Sequence, residues 1–213
     1  MIHRSGGTPL VAPLLLLVVA ASALFASRSG TVVASRSNPN PGVTGGFGER
    51  SCHVCHSQRP VNESAGSLVL EGVPQRYAPG RPYDLTVKLS RSGMGIAGFQ
   101  LSARFEEGAR QAGSFRSLDR RVHIVEFGDA NVQYVSHSDE GNGLTSRGTA
   151  SWTVEWTAPT VGEGRGVVVF HSAANAANND DTEFGDFIYQ IERRTEKDVS
   201  QRNPGDARAP VAP

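Results

Sequence analysis

The sequence predicts an all-β sandwich, and three observations carry that prediction. Apolar and polar residues alternate at period two over many short stretches. Turn-forming residues separate those stretches, with 24 Gly and 12 Pro among 213 residues. No ten-residue window carries a convincing helical period, so almost no helix is expected in the folded part.

Each expected strand has its own pattern. Leu68 and Leu70 alternate with polar neighbours, as do Tyr83, Leu85, Val87 and Leu89 after the Pro/Gly turn at 78–82. Residues 96–105 put Phe99, Leu101 and Ala103 on one face. Residues 122–127, 132–135, 150–157, 166–172 and 185–191 complete the set. Trp152, Val154 and Trp156 share one face of a single strand. An exposed aromatic platform for carbohydrate would look similar, but large aromatics at period two ordinarily pack inward, so core is the expectation.

The two ends differ from this middle. His3 and Arg4 precede an uncharged run containing the apolar stretch 10–26, with Ala21-Ser22-Ala23 as a small-x-small exit. That is the form of a secretory signal peptide, which predicts an exported protein: periplasmic, extracellular or at the cell surface. Membrane attachment is expected only if this segment stays uncleaved. Residues 27–50 are rich in Ser, Asn, Pro, Gly and Arg and read as a flexible linker. Residues 193–213 are charged and Pro-containing without an apolar run, and read as a disordered tail. The expected organisation is a signal peptide over 1–26, a linker over 27–50, the folded domain over 51–192 and a tail over 193–213.

Charge excludes one class of partner. Lys plus Arg and Asp plus Glu both number 21, so a neutral chain offers no global electrostatic footprint for nucleic acid. Two cysteines exclude a disulfide-framework miniprotein. No Ser-His-Asp spacing, phosphate loop or paired-carboxylate arrangement stands out, so no catalytic residue is assigned and an electron carrier or binding protein is favoured over an enzyme.

The two cysteines carry the chemistry. Cys52-His53-Val54-Cys55-His56 is a C-x-x-C-H run, which in an exported chain reads as a c-type haem attachment site. Two thiols three residues apart can reach the two vinyl groups of one haem, and the next histidine then meets the iron as proximal ligand. The cofactor expectation is one covalent haem c, with Cys52 and Cys55 as its attachment points and His56 on the metal. A zinc site using Cys52, Cys55, His56 and a remote histidine, or a redox disulfide, are the rival readings. The short Gly-rich segment 45–60 cannot enclose a haem, so the β domain must supply the other wall or the haem must stay partly exposed.

For the sixth iron ligand the choice falls on His137. His53 lies inside the C-x-x-C span. His123 alternates with Val125 and Phe127, and His171 with Val167 and Val169, which suits core histidines. Met94 sits between glycines in a loop expected at the surface. His137 ends a strand beside the polar loop 138–143; an open sixth position is the other outcome. Residues 175–186 concentrate oxygen donors and could take Ca²⁺, but they lack the EF-hand spacing, and Asx turns explain them equally well.

Several stretches together resemble the bacterial reeler-like, "choice-of-anchor V" type of secreted domain: 41–56 with its C-x-x-C-H, 77–87, Gly98-Phe99-Gln100-Leu101, 132–137, 152–159, 174–178 and 185–189. The resemblance spans about residues 39–192. It implies an immunoglobulin-like, reeler-like β-sandwich with the C-x-x-C-H loop just before it. Reeler domains also occur in extracellular proteins and beside membrane ferric-reductase modules, an association that points toward redox chemistry. The sequence thus predicts an exported monohaem c-type protein for electron transfer or redox sensing, with a redox protein as partner. The alternative is a non-catalytic extracellular adhesion or ligand-binding sandwich whose C-x-x-C-H is structural.

Overall fold

The computed structural model describes residues 39–164 and 166–200. The expected signal peptide, residues 27–38 of the expected linker and residues 201–213 of the expected tail lie outside the described residues.

Ten strands form two sheets: β1 (Gly66–Glu71), β2 (Arg76–Tyr77), β3 (Pro82–Arg91), β4 (Ile96–Phe105), β5 (Ser114–Ser117), β6 (Val122–Phe127), β7 (Val132–His137), β8 (Thr149–Thr157), β9 (Val168–Ala177) and β10 (Phe187–Lys197). One sheet has the order β1-β3-β8-β5, the other β2-β10-β9-β4-β7-β6. Every pairing is antiparallel except β2 with β10. Among the described residues the one helical element is a 3-10 turn over Cys52–Val54. The architecture is the all-β, reeler-like sandwich the sequence predicts.

The period-two residues form the interior. Leu85, Val87 and Leu89 of β3 face Phe99, Leu101 and Ala103 of β4, and all are buried. Trp152 and Trp156 of β8 cross to the larger sheet. Trp152 stacks on Phe99 with ring centroids 4.5 Å apart, and Trp156 meets Phe170 edge-on at 4.8 Å. Both indole N–H groups are satisfied, on the Gly141 and Ala112 carbonyls at 2.7 and 2.9 Å. A buried aromatic of this size needs such a polar outlet.

Several local expectations are corrected. Met94 is not a mobile surface residue; it is 7% exposed and packs into the core. β10 runs to Lys197, past the tail boundary placed at Arg193, because residues 193–195 pair with β9 and Thr195 is buried. His171 does not face the core: it shares the opposite face of β9 with Val169 and Asn175, while Phe170 and Ala174 point inward. Two short strands, β2 and β5, were not foreseen. Within the expected linker, residues 39–50 lie packed on the larger sheet, with Val43 and Thr44 buried.

Candidate functional site

The outer face of the larger sheet is polar in sequence yet buried. On β4 it presents Gln100, Ser102 and Arg104, which are 0%, 0% and 6% exposed. Residues 39–51 cover them as a strap. The Val43 N–H donates to Gln100 Oε1 at 2.8 Å, and Gln100 Nε2 donates to the Asn40 carbonyl and to Ser136 Oγ, both at 3.1 Å. Glu49 closes onto Arg104 and Tyr134, and it accepts from Thr44 Oγ1 at 2.7 Å. Burial lowers the Arg104 pKa and raises that of Tyr134. Gly46 lies flat on His171; a Cβ there would come within 2.1 Å of the ring, so only glycine lets the strap approach so closely. These bonds answer the burial cost of the polar face, since a buried polar group without a partner is expensive.

The strap delivers the C-x-x-C-H run to the end of β9. Ser51 caps the 3-10 turn, its Oγ accepting from the His53 N–H at 3.2 Å. The turn bonds Cys55 N–H and His56 N–H to the Cys52 carbonyl at 3.3 and 3.2 Å. Cys52 and Cys55 are free thiols. Burial, reinforced by the neighbouring Cys55, pushes the Cys52 thiol up to about 12. That environment suits a neutral sulfur, such as a thiol or thioether, better than a thiolate.

His56 rests on a carboxylate. Its Nδ1 lies 2.7 Å from Asp186 Oδ2, and Asp186 is 2% exposed. The carboxylate is fixed by the Asn178 N–H on Oδ1 at 3.1 Å and by Asn175 Nδ2 on Oδ2 at 3.0 Å. Asn175 Nδ2 also stands 3.3 and 3.4 Å from the two ring nitrogens of His56. Asn175 Oδ1 is buried and has no hydrogen-bond partner among the described residues.

His137 reaches the same place from β7. Its ring sits where the β4–β7 ladder ends, after the pairs Leu101–Val135 and Gln100–Ser136. The Phe99 N–H donates to Nδ1 at 3.0 Å, and the Phe99 carbonyl lies 3.3 Å from the same nitrogen. The ring occupies space left by Gly98, where a Cβ would come within 2.5 Å of Cε1.

Cys52, Cys55, His56 and His137 all line one cavity of about 330 Å³. Its lining includes the apolar Val43, Ile96 and Ala177, together with Ala97 and Phe99, whose side chains pack into the sandwich interior, and the acidic Asp180, Asp181 and Glu183. His53 is absent from the lining; its Nε2 bonds the Arg59 carbonyl at 2.9 Å. Among the described residues no group of three or more His, Cys, Asp or Glu side chains converges as a metal cage.

A Reeler domain family model matches residues 51–181, which takes in the C-x-x-C-H run and nine of the ten strands. The chain belongs to the Reeler domain family. Two solved structures of the F-spondin reeler domain are similar to it. The human domain is 22% identical over 70% of this chain and 99% of that one, with a TM-score of 0.44. The Reelin-N domain of F-spondin is 23% identical over 68% and 96%, with a TM-score of 0.44. A cohesin module of a Clostridium perfringens family 33 glycoside hydrolase is 10% identical over 64% and 100%, with a TM-score of 0.39. No curated protein matches the chain.

In this Reeler domain the four site residues named from the sequence stand around one cavity, although His137 is far from the other three along the chain. Asp186, Asn175 and the Phe99 peptide group were not singled out as parts of that site. The first two belong to the 175–186 oxygen cluster, which the sequence offered as a Ca²⁺ or turn segment. The signal for Asp186 was faint: an acidic residue at the mouth of a strand, one among many. His123, the remaining histidine among the described residues, is half-buried on β6, where burial lowers its pKa.

Proposed function

We propose that this Reeler-domain protein is an exported haem c protein for electron transfer or redox sensing. One haem would be attached to Cys52 and Cys55, with His56 and His137 on the iron. The observation that carries this reading is the lining of one cavity by all four residues. A bound haem would supply a one-electron Fe(III)/Fe(II) couple.

The residues fit such a group. The 3-10 turn holds both thiols on the cavity side, and the surroundings of Cys52 favour uncharged sulfur. Val43, Ile96 and Ala177 offer apolar surface for a flat apolar ring system. His56 can give its Nδ1 proton to Asp186 and keep Nε2 for the metal, the outer-shell arrangement common to ligating histidines. His137 can do the same with its Nδ1 proton on the Phe99 carbonyl, once the Phe99 N–H is released from that nitrogen. A cavity of about 330 Å³ lies near the lower end of the range of about 300–1,000 Å³ for small-molecule sites. A haem there would keep an edge toward solvent, which favours outer-sphere exchange with a protein partner over closed-pocket catalysis.

The test is the pyridine haemochrome spectrum of the full chain made with the cytochrome c maturation machinery. The c-type band is expected, and Cys52→Ser with Cys55→Ser should abolish it. A haem-free, folded and exported protein would overturn the reading in favour of a non-catalytic extracellular binding sandwich with a structural C-x-x-C-H.

A further inference from the structure

We propose that Asp186 is a positioning residue: it holds His56 as the Nδ1–H tautomer, turns Nε2 toward the cavity, and makes the ring a stronger electron donor to iron. This deepens the haem reading and rests on it for the iron, but not for the tautomer.

The geometry differs between the two histidines. His56 Nδ1 meets a buried carboxylate at 2.7 Å, whereas His137 Nδ1 meets a backbone peptide group, with the N–H at 3.0 Å and the carbonyl at 3.3 Å. An ionised carboxylate can only accept, so the nitrogen facing it must carry the proton. The Asn178 N–H and Asn175 Nδ2 fix both carboxylate oxygens, so the ring is aimed by a group that is itself immobilised. A proton shared toward a carboxylate leaves negative charge on the imidazole. That charge favours Fe(III) over Fe(II) and lowers the reduction potential. Asp186 is thus more than a loop anchor: Oδ1 holds the Asn178 N–H, while Oδ2 meets both Asn175 Nδ2 and His56 Nδ1.

Two measurements on the full chain decide this. The first needs no haem. Nitrogen-15 NMR of the neutral imidazole should show the His56 proton on Nδ1, and Asp186→Asn should move it toward Nε2. A wild-type ring protonated on Nε2 would overturn the proposal, whether or not the chain ever carries haem. The second is the reduction potential of the haem-loaded protein. Asp186→Asn should favour the reduced state at least tenfold, about 59 mV for one electron. Asn178→Ala serves as the control. It removes the side-chain bonds to Asp180 and the Phe184 carbonyl but keeps the backbone N–H on Asp186, and should shift the equilibrium less than threefold. Equal shifts in the two variants, or none in Asp186→Asn, would reduce Asp186 to a structural anchor. Failure to attach haem would overturn the functional reading and leave the NMR result to decide the tautomer.

Discussion

The two faces of β4 are both buried, and by opposite means. Phe99, Leu101 and Ala103 are covered by the smaller sheet, through apolar contact alone. Gln100, Ser102 and Arg104 are covered by a strap of the chain's own N-terminal segment, largely through hydrogen bonds and one ion pair. The first face needs only hydrophobic side chains of suitable size. The second needs each polar group matched to a partner, and most are; Ser102 Oγ and Arg104 Nε have none among the described residues. The candidate site belongs to the second face. It therefore depends on a segment that contributes little apolar area and much geometry.

Damage to the interior should have the largest effect. Trp152→Ala removes the ring stacked on Phe99 and leaves a void, at about 3–5 kcal/mol, measured by chemical denaturation. That is a large share of the roughly 5–15 kcal/mol typical of a domain. Damage to the strap should be smaller and of a different kind. Glu49→Gln leaves the Arg104 guanidinium without its carboxylate, at about 1–3 kcal/mol. It should also make residues 39–50 cleavable by protease before the sandwich unfolds. If the strap variant and the tryptophan variant unfold in one identical step with no early cleavage, the two faces are not separable.

The sequence revealed the interior because burial between two sheets imposes alternation, and alternation is visible without a partner. Trp152, Phe99 and Val87 need only belong to strands that are apolar at every second residue. The outer face was illegible for the same reason: Gln100 and Arg104 read as solvent-facing until the strap is seen. The strap itself reads as linker, since only Val43 and Phe47 among residues 39–50 are large and apolar. His171 was misplaced because alternation with valines does not say which sheet face is the core, and Val169 is buried on the strap side. The C-x-x-C-H run was visible because its residues are contiguous. Asp186 was not, because its role appears only when β9, β10 and the strap meet.

A spectroscopic change sharpens the comparison next. If His137 completes the site, the haem-loaded protein should be low spin and lack the charge-transfer band of methionine–iron ligation. His137→Ala should turn it high spin and open it to carbon monoxide. A wild type already high spin, with an unchanged spectrum in the variant, would leave His137 as a cap for the Phe99 peptide.

The smallest expected effect is on pH dependence. Burial lowers the His171 pKa below its ordinary value of 6.5, against a raising contribution from Glu192. The unfolded chain then binds more protons than the folded one below about pH 6.5. Stability should therefore fall as pH drops from 6.5 toward the folded pKa, and level off below it. Thermal melts between pH 7.5 and 5.5 should show a shallower decline in His171→Gln. An unchanged slope would place the loss elsewhere, first on His123, whose pKa burial also lowers.

The central claim is that Cys52 and Cys55 are haem attachment points, and intact mass under denaturing conditions tests it most directly. The chain should be exported alongside a known c-type cytochrome as a maturation control. The account predicts a single species heavier than the processed polypeptide by one haem, with the added mass lost when both cysteines become serine. An unmodified polypeptide mass, from a sample in which the control cytochrome is fully loaded, would contradict it.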